Sequence, residues 1–199
     1  MIKTLIGAIC AGALLAAAPV AAQLSYSDSF SFLKAVKEQD GAKVASLIAT
    51  PGTIVINSRD RENGEGALHY MVRERNHGWL AYLLGKKARP DLQNKQGDTP
   101  LSLAAQMGWV EGAQLLLAKG ATVDLPNGRG ETPLIRAAQK RDMPMVRVLL
   151  ASGADPKRTD SAAGYSASDY ARQDPRGAAI LKLLLAPAAA KPAAAGPKL

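Results

Sequence analysis

Of its 199 residues, this chain has one cysteine, two histidines, two tryptophans and two phenylalanines. A single cysteine excludes a disulfide framework and any structural metal site built on cysteine. Aromatic residues make up only 5% of the chain. A core must therefore be assembled from Ala, Leu, Val and Ile, which suits close-packed helices with small residues at their contacts. Nucleotide-binding loops of the G-x-G-x-x-G or G-x-x-x-x-G-K-[ST] type are missing, as is a G-x-S-x-G nucleophile elbow. Acidic residues are outnumbered, 17 Asp+Glu against 25 Lys+Arg, for a formal charge of +8.

The chain opens MIKTLIGAICAGALLAAAPVAAQ, with one cation at Lys3, an apolar run from Leu5 to Ala18, then Pro19 and small residues. These are the parts of a cleavable secretory signal over residues 1–22, with the cut expected after Ala22. The apolar run falls short of the roughly 20 residues needed to span a bilayer core, so the mature chain is expected to have no integral membrane span. Cys10 follows Ile9 rather than the small residue that a bacterial lipid-attachment signal requires. Loss of the signal removes the only cysteine, and no Asn stands in an N-x-Ser/Thr acceptor site. The expected setting is the bacterial periplasm, with secretion as the second choice.

A fixed internal period governs the rest. GEGALHYMV starts at Gly64, GDTPLSLAA at Gly97 and GETPLIRAA at Gly130, each 33 residues after the last. Leu68, Leu101 and Leu134 coincide, and so do Met71-Val72, Ala104-Ala105 and Ala137-Ala138. Tyr82-Leu83-Leu84, Leu115-Leu116-Leu117 and Val148-Leu149-Leu150 follow, then Lys87-Ala88, Gly120-Ala121 and Gly153-Ala154. Thr99 is suited to cap a helix and Pro100 to occupy its first position. Gly120 is suited to end a helix in the left-handed conformation. The paired alanines let neighbouring helices approach closely.

With its G-x-T-P-L-x-x-A-A, L-L and G-A elements in register, the sequence resembles the ankyrin repeat family over about residues 30–185. The resemblance implies an all-α solenoid of stacked helix-turn-helix units joined by hairpin loops. Three full repeats are expected at about 60–93, 94–126 and 127–159, with capping units at 30–57 and 160–185. Residues 23–29 read as a linker, and the Ala/Pro/Lys tail 186–199 as disordered. Gly164 comes 34 residues after Gly130, so the last loop holds one extra residue. Gly66-Ala67 replaces Thr-Pro in the first full repeat, and Arg75 and Arg141 stand where Gly108 ends the first helix of the middle unit. The middle repeat is accordingly expected to be the most stable and the first the most prone to open.

No chemistry-bearing constellation emerges. His69 takes the place of the His in the T-P-L-H motif, where the ring supports loops between repeats, and His77 lies in the following turn. A metal site needs three or four convergent ligands, and no third is apparent. The expectation is no catalytic residue, cofactor or metal, and no enzyme. Trp79 is placed on the buried stripe of its helix, and Trp109 in a partly exposed position. Interleaved acidic residues argue against nucleic acid, leaving solvated helix faces that attract anionic partners.

The resemblance instead implies binding of another protein by a monomeric module through its concave face and hairpin loops, and the excess of cations suits an acidic partner. Carried over position by position, the contact set is Glu65, Arg73 and Glu74 in the first full unit. In the second it is Lys95, Gln96, Asp98, Gln106 and Met107, whose flexible thioether suits adaptable contacts. In the third it is Arg129, Glu131, Gln139 and Lys140, with Tyr165 at the entry to the cap. The alternative is a structural envelope protein anchored by its basic tail.

Overall fold

The computed structural model describes residues 26–49 and 53–186. The signal segment 1–22 and residues 187–199 of the tail lie outside the described residues. The described chain forms five helix pairs: α1 (Tyr26–Lys37) with α2 (Gly41–Ile48), α3 (Ala67–Arg73) with α4 (His77–Gly85), α5 (Pro100–Met107) with α6 (Val110–Ala118), α7 (Pro133–Gln139) with α8 (Met143–Ala151), and α9 (Ala167–Gln173) with α10 (Ala178–Leu185). A short 3₁₀ turn, Val55–Asn57, follows α2. No strand occurs among the described residues, and the one isolated bridge joins Thr159 to Ser166. The first helix takes in Tyr26–Ser29, so those four residues are helical where the sequence suggests a linker.

Most of these helices span only seven to nine residues, too few to persist alone in water. Stacking sustains them. Helices α1, α3, α5, α7 and α9 pack in series as an inner layer, and α4, α6, α8 and α10 do so as an outer one. Leu101, Ala104, Ala105, Leu134 and Ala137 are fully buried in the inner layer, and Leu116 and Leu149 in the outer. The register read from the 33-residue period is the register of the core.

Local chemistry explains where the helices start. Thr99 Oγ1 accepts the Ser102 N–H at 3.0 Å and Thr132 Oγ1 that of Ile135 at 3.3 Å, with Pro100 and Pro133 at the first position. Asn76 and Asp142 cap outer helices in the same way. In the C-terminal cap, Ser166 and Asp169 form a reciprocal capping box despite the loss of Thr-Pro-Leu.

The tryptophans exchange the environments expected of them. Trp109 is 5% exposed, and a Cβ on Gly112 would lie 2.1 Å from its ring, so Gly112 exists to let that ring in. Trp79 is only half-buried; the α4 stripe is Leu80, Leu83 and Leu84. The Trp79 ring instead meets Tyr82 edge-on at 5.5 Å, beside an apolar cleft of about 420 Å³ that Gly41 and Gly78 leave open on the outer layer.

Candidate protein-binding groove

The loops that lead into the inner helices are self-bracing. Asn94 Oδ1 accepts the N–H groups of Gln96 and Asp98, both at 2.9 Å, and Asn127 Oδ1 accepts those of Arg129 at 2.9 Å and Glu131 at 3.0 Å. In the last loop, Asp160 Oδ1 gathers Ala162, Ala163 and Gly164, which absorbs the extra residue. Each hairpin is also tied to the next by one backbone bond of 2.9 Å: Lys95 N–H to Asn63, Gly128 N–H to Gln96, and Ser161 N–H to Arg129. A Cβ on Gly97, whose φ is +78°, would sit 2.4 Å from the Gly128 nitrogen. Glycine there allows both the left-handed turn and the close approach. The result is a row of hairpin tips fixed side by side.

Beneath the tips lies a buried polar layer that joins the repeats. His69 Nδ1 accepts the Gly66 N–H at 3.2 Å, while Nε2 lies 2.9 Å from the Asp98 carbonyl and must donate to it. Only the neutral ring protonated at Nε2 satisfies both. Burial, with the Arg73 charge, holds the His69 pKa below its ordinary value against the pull of the Asp98 carbonyl and the Glu65 charge. The ring thus plays the part that the Glu or Gln of a capping box plays, accepting the N–H of the cap residue Gly66, which has no hydroxyl of its own.

Arg136 on α7 is 6% exposed. Its guanidinium reaches Asp98 of the preceding repeat at 2.8 Å, Glu131 of its own loop at 3.3 Å, and Gln106 Oε1 at 2.8 Å. Asn127 Nδ2 donates to Asp98 at 3.1 Å and to Glu131 at 3.0 Å. Burial pushes the Glu131 carboxyl up, but hydrogen bonds from Arg129 and Asn127 and the Arg129 and Arg136 charges outweigh it, and its pKa is lowered. In the first full repeat, Arg73 Nε binds Glu65 at 2.9 Å.

This layer corrects part of the expected contact set. Glu65, Asp98 and Glu131 are buried, at 3%, 8% and 8% exposure; Glu65 is held by Arg73 and Glu131 by Arg129, Arg136 and Asn127 of their own repeats, while Asp98 reaches Arg136 and Asn127 of the next one. Arg73, Glu74, Lys95, Gln96, Gln106, Arg129, Gln139, Lys140 and Tyr165 are exposed, and Met107 is half-buried. Gln106 and Met107 end α5 where Gln139 and Lys140 end α7, and these two helices pack directly on each other. Tyr165 stands apart at the C-terminal end, edge-on to Tyr170 at 5.6 Å.

Two features escaped the sequence reading. Arg136 falls one period after the buried Leu103, so a cation standing where the preceding unit has Leu was a signal for a buried partner. Tyr70 and Tyr170 each donate to an aspartate ten residues upstream, Asp60 and Asp160, at opposite ends of the groove. That repeated spacing was visible in the sequence. Among the described residues, no group of three or more His, Cys, Asp or Glu is disposed to hold a metal ion. No described helix is long and apolar enough to cross a membrane.

Serial helix pairs with hairpin loops along one edge and an exposed strip of inner-helix ends define a repeat solenoid of the kind that binds other macromolecules. The family described as ankyrin repeats (3 copies) matches residues 32–127 and, in a second overlapping match, 68–160. The chain belongs to the ankyrin repeat family, whose members generally mediate protein–protein interaction and are typically non-enzymatic. Among curated proteins, none matches the chain.

Proposed function

We propose that this protein is a non-enzymatic binding module, exported to the bacterial periplasm, that holds a partner protein along the hairpin tips and the exposed ends of its inner helices. The observation that carries this reading is the packing of α5 on α7, which sets Gln106 and Met107 beside Gln139 and Lys140 on one strip. A partner can touch several of these at once. Export is supported by the basic start, short apolar run and small-residue exit of residues 1–22.

The test has two arms. Changing Met107 and Lys140 together to Glu should weaken capture of the crosslinked partner while the far-ultraviolet dichroism stays helical. Deleting residues 186–199 should leave the captured set unchanged. Partner loss on tail deletion, with the double variant unaffected, would make the repeats a scaffold and the tail the binding element. Export is read separately, by intact mass: processed material should begin at Gln23, and a retained N-terminus or a lipid adduct on Cys10 would defeat it.

A further inference from the structure

The N-terminal end of the groove holds a cavity of about 560 Å³ between α1 and the loop that precedes the first full repeat. That volume suits a site that takes up a side chain with its flanking backbone. Part of its wall is apolar: Leu33 is buried, and Phe30 keeps 58% of its surface exposed. Much of the remainder is cationic, with Lys34 and Lys37 from α1 and Arg59 and Arg61 from the loop, against the carboxylates of Asp60 and Glu62.

Asp60 offsets Lys37 and not Lys34 or Arg59, because the fold holds both its oxygens. Oδ1 accepts the Glu62 N–H at 2.8 Å, and Oδ2 accepts the Tyr70 hydroxyl at 2.8 Å and the Lys37 ammonium at 3.4 Å. Lys37 is further held 4.1 Å from the centroid of the Tyr70 ring. Lys34 meets Glu38 at 3.8 Å with both side chains 60% exposed, a contact weak enough to exchange for a better one. The opposite end of the groove differs. There Arg172 pairs with Asp169 and Arg141 with Asp174, each at 2.8 Å. An anionic ligand is therefore favoured at the α1 end.

We infer that this cavity docks an acidic segment of the partner protein, which sets an aromatic or aliphatic side chain against Phe30 and Leu33 and carboxylates against Lys34 and Arg59. The inference rests on the reading of the chain as a protein-binding module and specifies the partner's chemistry. A concave site with an apolar wall takes up a protruding side chain, which a flat lipid surface does not offer. The charge arrangement steers an acidic chain and fixes its direction along the groove.

The probe is a short labelled peptide of Asp and Glu with one central Phe, titrated against the purified protein at two salt concentrations. Its affinity should fall with salt, and replacing its Phe by Ser should weaken binding about fivefold. Lys34→Glu with Arg59→Glu, both surface changes that leave helicity intact, should weaken it at least about tenfold. Met107→Glu with Lys140→Glu, farther along the groove, should change it less than about twofold. Unchanged binding to the Lys34/Arg59 variant, or equal binding of the peptide without Phe, would overturn the inference, as would displacement of the peptide by phosphatidylglycerol vesicles. If the Met107/Lys140 variant loses the captured partner while the Lys34/Arg59 variant keeps it, the groove reading stands and the cavity assignment fails. If the Lys34/Arg59 variant loses the peptide while the Met107/Lys140 variant keeps its partner, the cavity stands and the strip of helix ends does not.

Discussion

Arg136 Nη2 lies 2.8 Å from Asp98 Oδ1, and the two side chains, 7% and 11% exposed, belong to successive repeats. The pair is a rivet between units. A buried ion pair gains stability only where its remaining hydrogen-bonding groups are satisfied, as they are here by Glu131, Asn127 and Gln106. It also sets the exposed Gln106 relative to α7, so the groove surface depends on a buried contact beneath it.

Replacing Arg136 by Ala should leave Asp98 buried without its cation and Glu131 with Arg129 alone. The expected cost is about 3–5 kcal/mol, read as a lower urea midpoint at unchanged slope. A change below about 1 kcal/mol would show that the pair is solvated and contributes little.

The left-handed ends of the inner helices make a second case. Gln39, Arg75 and Arg141 have φ of +57°, +51° and +57°, at positions equivalent to Gly108. Each side chain reaches the next unit: Gln39 to Glu74, Arg75 to the Met107 carbonyl, and Arg141 to Asp174. These bonds offset the strain of a side chain at positive φ. Arg75→Ala loses the bond and keeps the strain, whereas Arg75→Gly loses both. The glycine variant should therefore be the more stable by about 1 kcal/mol, the reverse of the usual helix preference. Thermal melts of the two variants decide it.

Acidification tests the His69 bridge. Its folded pKa lies below the ordinary 6.5. Below about pH 6.5 the unfolded chain therefore binds a proton that the folded chain resists. The stability from this group is full above that pH and is lost as pH falls through the folded value. The limiting slope is about 1.4 kcal/mol per pH unit. The lowered carboxyls of Asp60, Glu131 and Asp160 lose their contribution further down, below their ordinary values of 3.8, 4.5 and 3.8. Urea midpoints between about pH 7.5 and 5 should thus decline in the wild type and stay flatter in His69→Asn. Parallel declines would assign the effect elsewhere.

Register itself is checked by a pair of truncations. Leu116 is fully buried and Lys119, three residues on, is exposed. Leu116→Ala should cost roughly 2–5 kcal/mol and Lys119→Ala less than about 0.5 kcal/mol. Similar denaturation midpoints for the two would contradict the helix register.

The 33-residue beat, the Thr-Pro caps, the Ala-Ala pairs and the leucine runs were enough to place the helix pairs of the three full repeats and, Trp79 apart, their buried stripe, because each is a local requirement repeated at a fixed interval. The place of Gly120 at a helix end followed from the same logic, and its φ is +87°. Charge was not legible in this way. Glu65, Asp98 and Glu131 occupy hairpin positions that look solvent-facing in one dimension. Whether a carboxylate there meets water or a guanidinium depends on which side chain the fold brings to it, from its own unit for Glu65 and Glu131 and from the next unit for Asp98. Arg136 supplies that cation across 38 residues from Asp98. Trp109 was likewise decided by Gly112 lying beneath its ring, a packing fact with no period to announce it. Sequence alone determined the stacking of the repeats, since stacking follows from short-range patterns. Which charges are buried, and therefore which surface is left to a partner, was decided only when the stack brought distant residues within hydrogen-bonding distance.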